Sequence, residues 1–191
     1  MPALAEVVEP QVATLDAEAS AVSLVGFKAQ NHGQQVRKHG ANPLVDDRAT
    51  TPEVFDPLNE RFRFTIDVAA SVENTKCKRF YDLESNGLSQ SWAGERVWCN
   101  PPYSDIEPWV EKARVEVAAD DCPLAILLVP ANRTEQGWWQ RQVEPIRDRP
   151  MGVLSVEFLP GRLRFLAPGA LAIKPNERPP FGCCLLIFES R

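Results

Sequence analysis

The sequence predicts an α/β fold: an open, mostly parallel sheet flanked by helices, with an antiparallel C-terminal strand. Three observations carry that expectation. Short apolar segments alternate with stretches of helical period, as in parallel β-α units. The run "PLAILLVPA", 123–131, is apolar throughout, as a strand buried on both faces of a parallel sheet must be. After residue 150 the pattern changes to strand-like pieces without long helices between them, ending on "FGCCLLIFES", 181–190.

Residues 1–30 are rich in Ala, Val and Glu and have no clear period. They read as a disordered acidic tail, with room for a short helix near 15–25. Residues 31–49 continue as a flexible polar arm, and 50–191 form the domain. "TTPEVFDPLNERF" opens it with a helix. Thr51 is a good N-cap, Pro52 suits the first helical position, and Thr50 with Glu53 has capping-box spacing. Pro57 should keep this helix short. "RFTIDVAA" is a strand ending near Asp67, "KRFYDL" (78–83) a second and "ERVWCN" (95–100) a third. "IEPWVEKARVEVAAD" is a helix with Trp109, Ala113 and Val117 on one face. "EQGWWQRQVEPI" is helical as far as Pro145. In "GVLSVEFLPGRLRFLAP" two strand pieces flank Pro160-Gly161, the signature of a hairpin turn. "GALAIKPNERPP" (169–180) is a loop.

The chain has 191 residues, 44% of them hydrophobic, enough for one domain with a sizeable core. No apolar run approaches the ~20 residues that span a bilayer, and the acidic N-terminus is unlike a signal peptide, so an intracellular protein is expected. Five cysteines in no metal or redox spacing, with only His32 and His39 besides, argue against a structural metal. The net charge of -5 argues against coating nucleic acid by charge alone. It leaves room for a local basic face, since residues 1–27 hold four acids and no Lys or Arg.

The stretch "VWCNPPYSDIEPW" carries the chemistry. Two prolines cannot continue a sheet ladder, so Asn100-Pro101-Pro102-Tyr103 stands where a strand stops. In an open α/β sheet that is where ligands bind. The Asn100 amide oxygen and the Pro101 carbonyl are two acceptors at fixed separation, and Pro102 sets the chain direction after them. Two acceptors suit a planar amino group such as the exocyclic amine of adenine. They make its lone pair available and stabilise the positive charge of attack. Tyr103 offers a ring for a flat base, with stacking worth roughly 1–3 kcal/mol. Given an electrophile as reactive as the sulfonium methyl of S-adenosylmethionine, alignment supplies most of the acceleration. On the tetrapeptide alone, a plain Pro-Pro turn is an equal reading.

The ordered set "TPEVFDPLNERFRFTIDVAAS", "NTKCKRFYDLESNGLSQSW", "VWCNPPYS", "ILLVPANRTEQGWW", "FLPGRLRF" and "LLIF" resembles the phage-type DNA N-6-adenine methyltransferases over residues 50–190. The resemblance implies a Rossmann-like class I methyltransferase fold, S-adenosyl-L-methionine as cofactor, and adenine in DNA as substrate, either flipped from a duplex or single-stranded. It implies catalytic roles for Asn100, Pro101, Pro102 and Tyr103. For the cofactor it implies Thr51 and Pro52 near the methionine end and Asp67 to Ala70, Ala69 included, in the first loop. That loop, "DVAAS", lacks the Gly-x-Gly of many methyltransferases. Asp82 either binds ribose hydroxyls or is a solvated turn residue, with Glu84 the nearby substitute. Asn86 would hold the cofactor adenine where an acid is usual. For DNA the candidates are Lys38 with Arg37 and His39, Arg162 and Arg164, and Lys174 with Arg178. Trp92 and Trp138-Trp139 read as packing. The resemblance implies a phage or prophage origin and so the bacterial host cytoplasm as the compartment; no membrane partner is implied, and nothing fixes an oligomeric state. Other readings are methylation of an RNA base or a protein glutamine with the same motif, or a non-catalytic cofactor- or DNA-binding module.

Overall fold

The structure is a computed structural model describing residues 13–14, 24–26, 49–170 and 181–190, with side chains over 49–166 and 181–190. Its strands are β1 (Ala13–Thr14), β2 (Leu24–Gly26), β3 (Ala49–Thr50), β4 (Ile66–Asp67), β5 (Arg79–Phe80), β6 (Arg96–Cys99), β7 (Leu124–Pro130), β8 (Leu154–Phe158), β9 (Phe165–Ala170) and β10 (Cys183–Glu189). Three helices, which we label α1 (Pro52–Phe62), α2 (Glu107–Ala118) and α3 (Gly137–Gln142), connect them.

The main sheet has seven strands in the order β1-β5-β4-β6-β7-β10-β8. Strands β5, β4, β6 and β7 are mutually parallel. β10 runs antiparallel to both of its neighbours, so β8 points the same way as β7. The chain steps from β4 to β5 on one side and to β6 on the other. The strand order therefore reverses at β4, and the carboxyl ends of β4 and β6 open a crevice between their loops. A second, antiparallel sheet, β2-β9-β3, lies beside it.

The core follows the apolar pattern. All seven residues of β7 are buried, and β10 pairs with it from Cys183 opposite Pro130 to Glu189 opposite Leu124. On α2 the expected face of Trp109, Ala113 and Val117 is buried, with Val110 beside it. The five cysteines are free and buried, as small apolar residues. Among the described residues no helix is long and apolar enough to cross a membrane.

Four local expectations are corrected. Helix α1 runs straight through Pro57 for eleven residues. The missing amide would have paired with the carbonyl of Glu53, on the exposed side of the helix. The buried stripe of Phe55, Leu58 and Phe62 outweighs that loss, each large side chain contributing roughly 1.5–3 kcal/mol. Phe55 packs edge-on against Trp98 at 5.4 Å. Thr51 is the N-cap but makes no side-chain cap bond, and Thr50 lies in β3 opposite Phe165, so the Thr50–Glu53 box does not form. Pro160-Gly161 is not a hairpin. β8 pairs with β10 while β9 pairs with β2 and β3, because the chain changes sheets there. Leu24–Gly26, overlapping the end of the short helix expected near 15–25, is a strand. The rest of that tail, the arm at 31–48 and the loop at 171–180 lie outside the described residues.

Candidate active site

A cavity of about 490 Å³ opens at the carboxyl ends of β4, β5 and β6. Its size falls in the range of small-molecule sites. The loop after β4 (Val68 to Ser71, with Asn74) forms one wall, and Tyr81 to Leu83 with Asn86 and Gly87 form a second. Asn100 and Pro102 after β6, with Trp109 from α2, complete it.

The Asn100 corner is the stiffest part. Strand β6 ends at Cys99, and Asn100 is only 8% exposed. The Asp105 amide donates to the Pro102 carbonyl (3.1 Å), which closes the turn into α2 and leaves the Pro101 carbonyl outside that bond. Beneath the turn, the Tyr103 ring is buried between Phe165 and Phe181, with ring centres 6.1 Å away in each case. Phe165 faces Thr50 across β9 and β3, so the start of α1 reaches the corner through this aromatic cluster.

The β4 loop is fastened from behind. Asp67 is 3% exposed, and its carboxylate accepts the Lys76 amide at 3.0 Å and the Ala69 amide at 3.4 Å. Burial pushes its pKa up to about 6, against the pull of those two amides and the Lys76 charge. The Ser71 amide donates to Asn74 Oδ1 (2.8 Å). Ser71 Oγ is buried and has no hydrogen-bond partner among the described residues. A buried hydroxyl in a cavity wall is ready for a polar ligand.

The β5 turn is built from side-chain bonds. Asp82 Oδ1 accepts the Ser85 amide (2.8 Å) and the Ser85 hydroxyl (2.7 Å), while the Asp82 amide donates to Ser85 Oγ (2.8 Å). These bonds hold the Asp82 carboxyl below its usual range, so it is ionised at neutral pH. Asn86 sits at φ 51°, a left-handed position that asparagine tolerates. Gly87 is required: a Cβ there would overlap the Val68 carbonyl oxygen of the opposite wall. Trp92 Nε1 donates to the Gly87 carbonyl (3.0 Å) and fixes the turn in place.

The family model described as DNA N-6-adenine-methyltransferase (Dam) matches residues 38–188. The chain belongs to the Dam family. It is 35% identical over 105 residues to a DNA N-6-adenine-methyltransferase of Escherichia phage T1, covering 53% of this chain and 44% of that protein. A second relative of the same description, from Haemophilus phage HP1 (strain HP1c1), is 43% identical over 51 residues, covering 27% of this chain and 30% of that protein. The chain thus spans less than half the length of either phage relative.

In this Dam-family chain the cavity brings together Ala69, Asp82, Asn86, Asn100 and Pro102 from the residues marked in the sequence. Asp67 stands behind the wall, tying the loop down. Thr51, Pro52, Pro101 and Tyr103 do not line the cavity. The expectation that the Tyr103 ring faces the pocket is corrected, because Phe165 and Phe181 draw it into the core. Arg162 is exposed and Arg164 half-buried between β8 and β9, while Lys38 and Lys174 lie outside the described residues. Sequence reasoning missed Ser71, Asn74, Leu83 and Gly87 as wall residues and took Trp109 for core alone. Only Gly87 gave a local signal, the Asn-Gly pair of a turn.

Proposed function

We propose that this chain transfers the methyl group of S-adenosyl-L-methionine to the N6 amine of adenine in DNA, within a Rossmann-like class I methyltransferase fold. The observation that carries the reading is the position of Asn100. In this Dam-family chain the Asn100 amide lines a strand-end cavity whose other wall carries the ionised Asp82. The cavity fits the cofactor on this chain's own features. Asp82 presents an oriented carboxylate for a pair of hydroxyls, Asn86 an amide for an adenine edge, Ser71 an unused hydroxyl, and Ala69 a wall that a ligand can approach closely. When bound, S-adenosylmethionine supplies a methyl on a positively charged sulfur.

The residues do the rest. Asn100 and the Pro101 carbonyl accept the two N–H bonds of the target amine and direct its lone pair into the cavity. They stabilise the positive charge that develops on nitrogen as the N–CH3 bond forms and the S–CH3 bond breaks, in a site where rigid dipoles need no reorganisation, and the surplus N–H proton then passes to water. Pro101 and Pro102 hold the acceptors at fixed separation, so alignment costs little entropy on binding. Trp109 and Val68 exclude water. Tyr103 anchors the corner from below. A target base enters from outside, so an adenine within a duplex must leave its stack first. Sequencing of DNA from cells expressing the protein, with modified-base detection, tests the reading. N6-methyladenine at a recurrent site supports it, and unmodified DNA from cells holding folded protein refutes it.

A further inference from the structure

The arginines of this chain divide by what they touch. Arg61, Arg79, Arg141 and Arg147 pair with Glu157, Glu95, Glu107 and Glu144. Arg96 and Arg149 donate to backbone carbonyls, and Arg114 to Gln142. Among the described residues, the side chains of Arg133 and Arg162 enter no hydrogen bond or ion pair, and Arg162 is exposed. Arg63 and Lys78 share that condition. They precede β4 and β5, however, at the amino ends of the parallel strands, on the face away from the cavity. Arg133 and Arg162 follow β7 and β8, which run parallel to β6, so they stand on the face that holds Asn100.

Their backbones are tied to the corner. Tyr103 rests between Phe165 and Phe181. Gly182, next to Phe181, accepts the Ala131 amide at 2.9 Å, two residues before Arg133. The Gly161 carbonyl lies 3.4 Å from where a Cβ on Gly182 would stand, which sets Arg162 against the same segment. The pieces 131–133, 161–165 and 181–182 therefore form one ledge beside the corner. Two acids on neighbouring loops, Asp105 and Glu135, are exposed and pair with neither arginine.

We propose, building on methyl transfer to DNA, that Arg133 and Arg162 grip phosphates of the strand carrying the target base. A guanidinium without a partner among the described residues, exposed in Arg162 and half-buried in Arg133, is a fork that matches phosphate oxygens. With a net charge of -5, attraction for a polyanion has to be local, and this ledge is where it is needed. Phosphate contacts fix register without reading sequence, so both arginines act on any DNA that the corner admits.

The test is fluorescence anisotropy with a labelled duplex of about 20 base pairs over a salt series, beside calorimetry with S-adenosylmethionine. The double variant R133A/R162A is expected to lose affinity for DNA by about tenfold or more, with a salt slope shallower by about two. Its affinity for S-adenosylmethionine stays at the wild-type value. R133K/R162K keeps most of the DNA affinity, and R63A/K78A keeps all of it. Wild-type affinity and slope in R133A/R162A, or an equal loss in R63A/K78A, overturns the proposal. If the wild type methylates DNA while R133A/R162A binds normally, the ledge is wrong and methyl transfer stands. If the wild type places no methyl on DNA, the methyl-transfer reading fails and takes the ledge with it.

Discussion

Two walls of one cavity are built by opposite means. The Asn100 corner is nearly sealed, carries no charge, and is held by two prolines, a closed turn and three packed aromatic rings. The Asp82–Gly87 turn is open to solvent, carries an ionised acid, and is held by hydrogen bonds among its own side chains and backbone. The contrast assigns the work. On the proposed reading, chemistry on a poorly nucleophilic amine needs acceptors that do not move, which the stiff wall offers. On the same reading, holding a polar ligand that must come and go needs directed hydrogen bonds at a wet edge, which the polar wall offers.

Substitutions can break that contrast, and the largest effect belongs to the stiff wall. Asn100→Ala should lower turnover by roughly 10²–10³-fold while calorimetry shows S-adenosylmethionine affinity unchanged. A parallel loss of cofactor affinity would merge the two walls into one. Gly87→Val comes next. Its side chain drives the turn away from Val68, costing roughly 1–3 kcal/mol of stability and weakening cofactor binding more than it slows saturated turnover. Asp67 sharpens the role of the β4 loop. Burial raises its pKa from 3.8 to about 6, a difference worth roughly 3 kcal/mol. The native state therefore binds more protons than the unfolded chain between about pH 4 and 6. This group's contribution to stability falls as pH rises through that window and is flat above it. Asp67→Asn should remove the fall, seen as a variant-minus-wild-type difference in denaturant midpoint that grows from pH 4 to 6. Tyr103→Phe should have the smallest effect, within about threefold on turnover, because the ring packing survives, whereas Tyr103→Ala opens a core cavity worth about 3–5 kcal/mol.

The same contrast explains what the sequence disclosed. The place of Asn-Pro-Pro-Tyr at a strand end was legible because its signal is local: prolines and an amide after an apolar triplet declare themselves within a few residues. Gly87 announced a turn through its Asn-Gly pair but not its place in the wall, because its need for hydrogen at Cα comes from a carbonyl nineteen positions earlier in the chain. The Tyr103 ring was assigned to the pocket because nothing in the sequence says that Phe165 and Phe181 converge on it. β8 and β9 were found as strands but given the wrong partners, since an apolar pattern fixes burial and not the sheet a strand joins. Pro57 misled in the other direction. A local rule against helix gave way to the tertiary burial of Phe55, Leu58 and Phe62.

The central claim is that the Asn100 corner activates an adenine amine in DNA for methylation. Transfer of tritiated methyl from S-adenosylmethionine, offered to DNA, RNA and protein side by side, tests it most directly. Label recovered as N6-methyladenine in DNA, and abolished by Asn100→Ala in a variant that still binds the cofactor, is the predicted result. Label appearing only in RNA or protein, or persisting in DNA at the wild-type rate without the Asn100 amide, contradicts it.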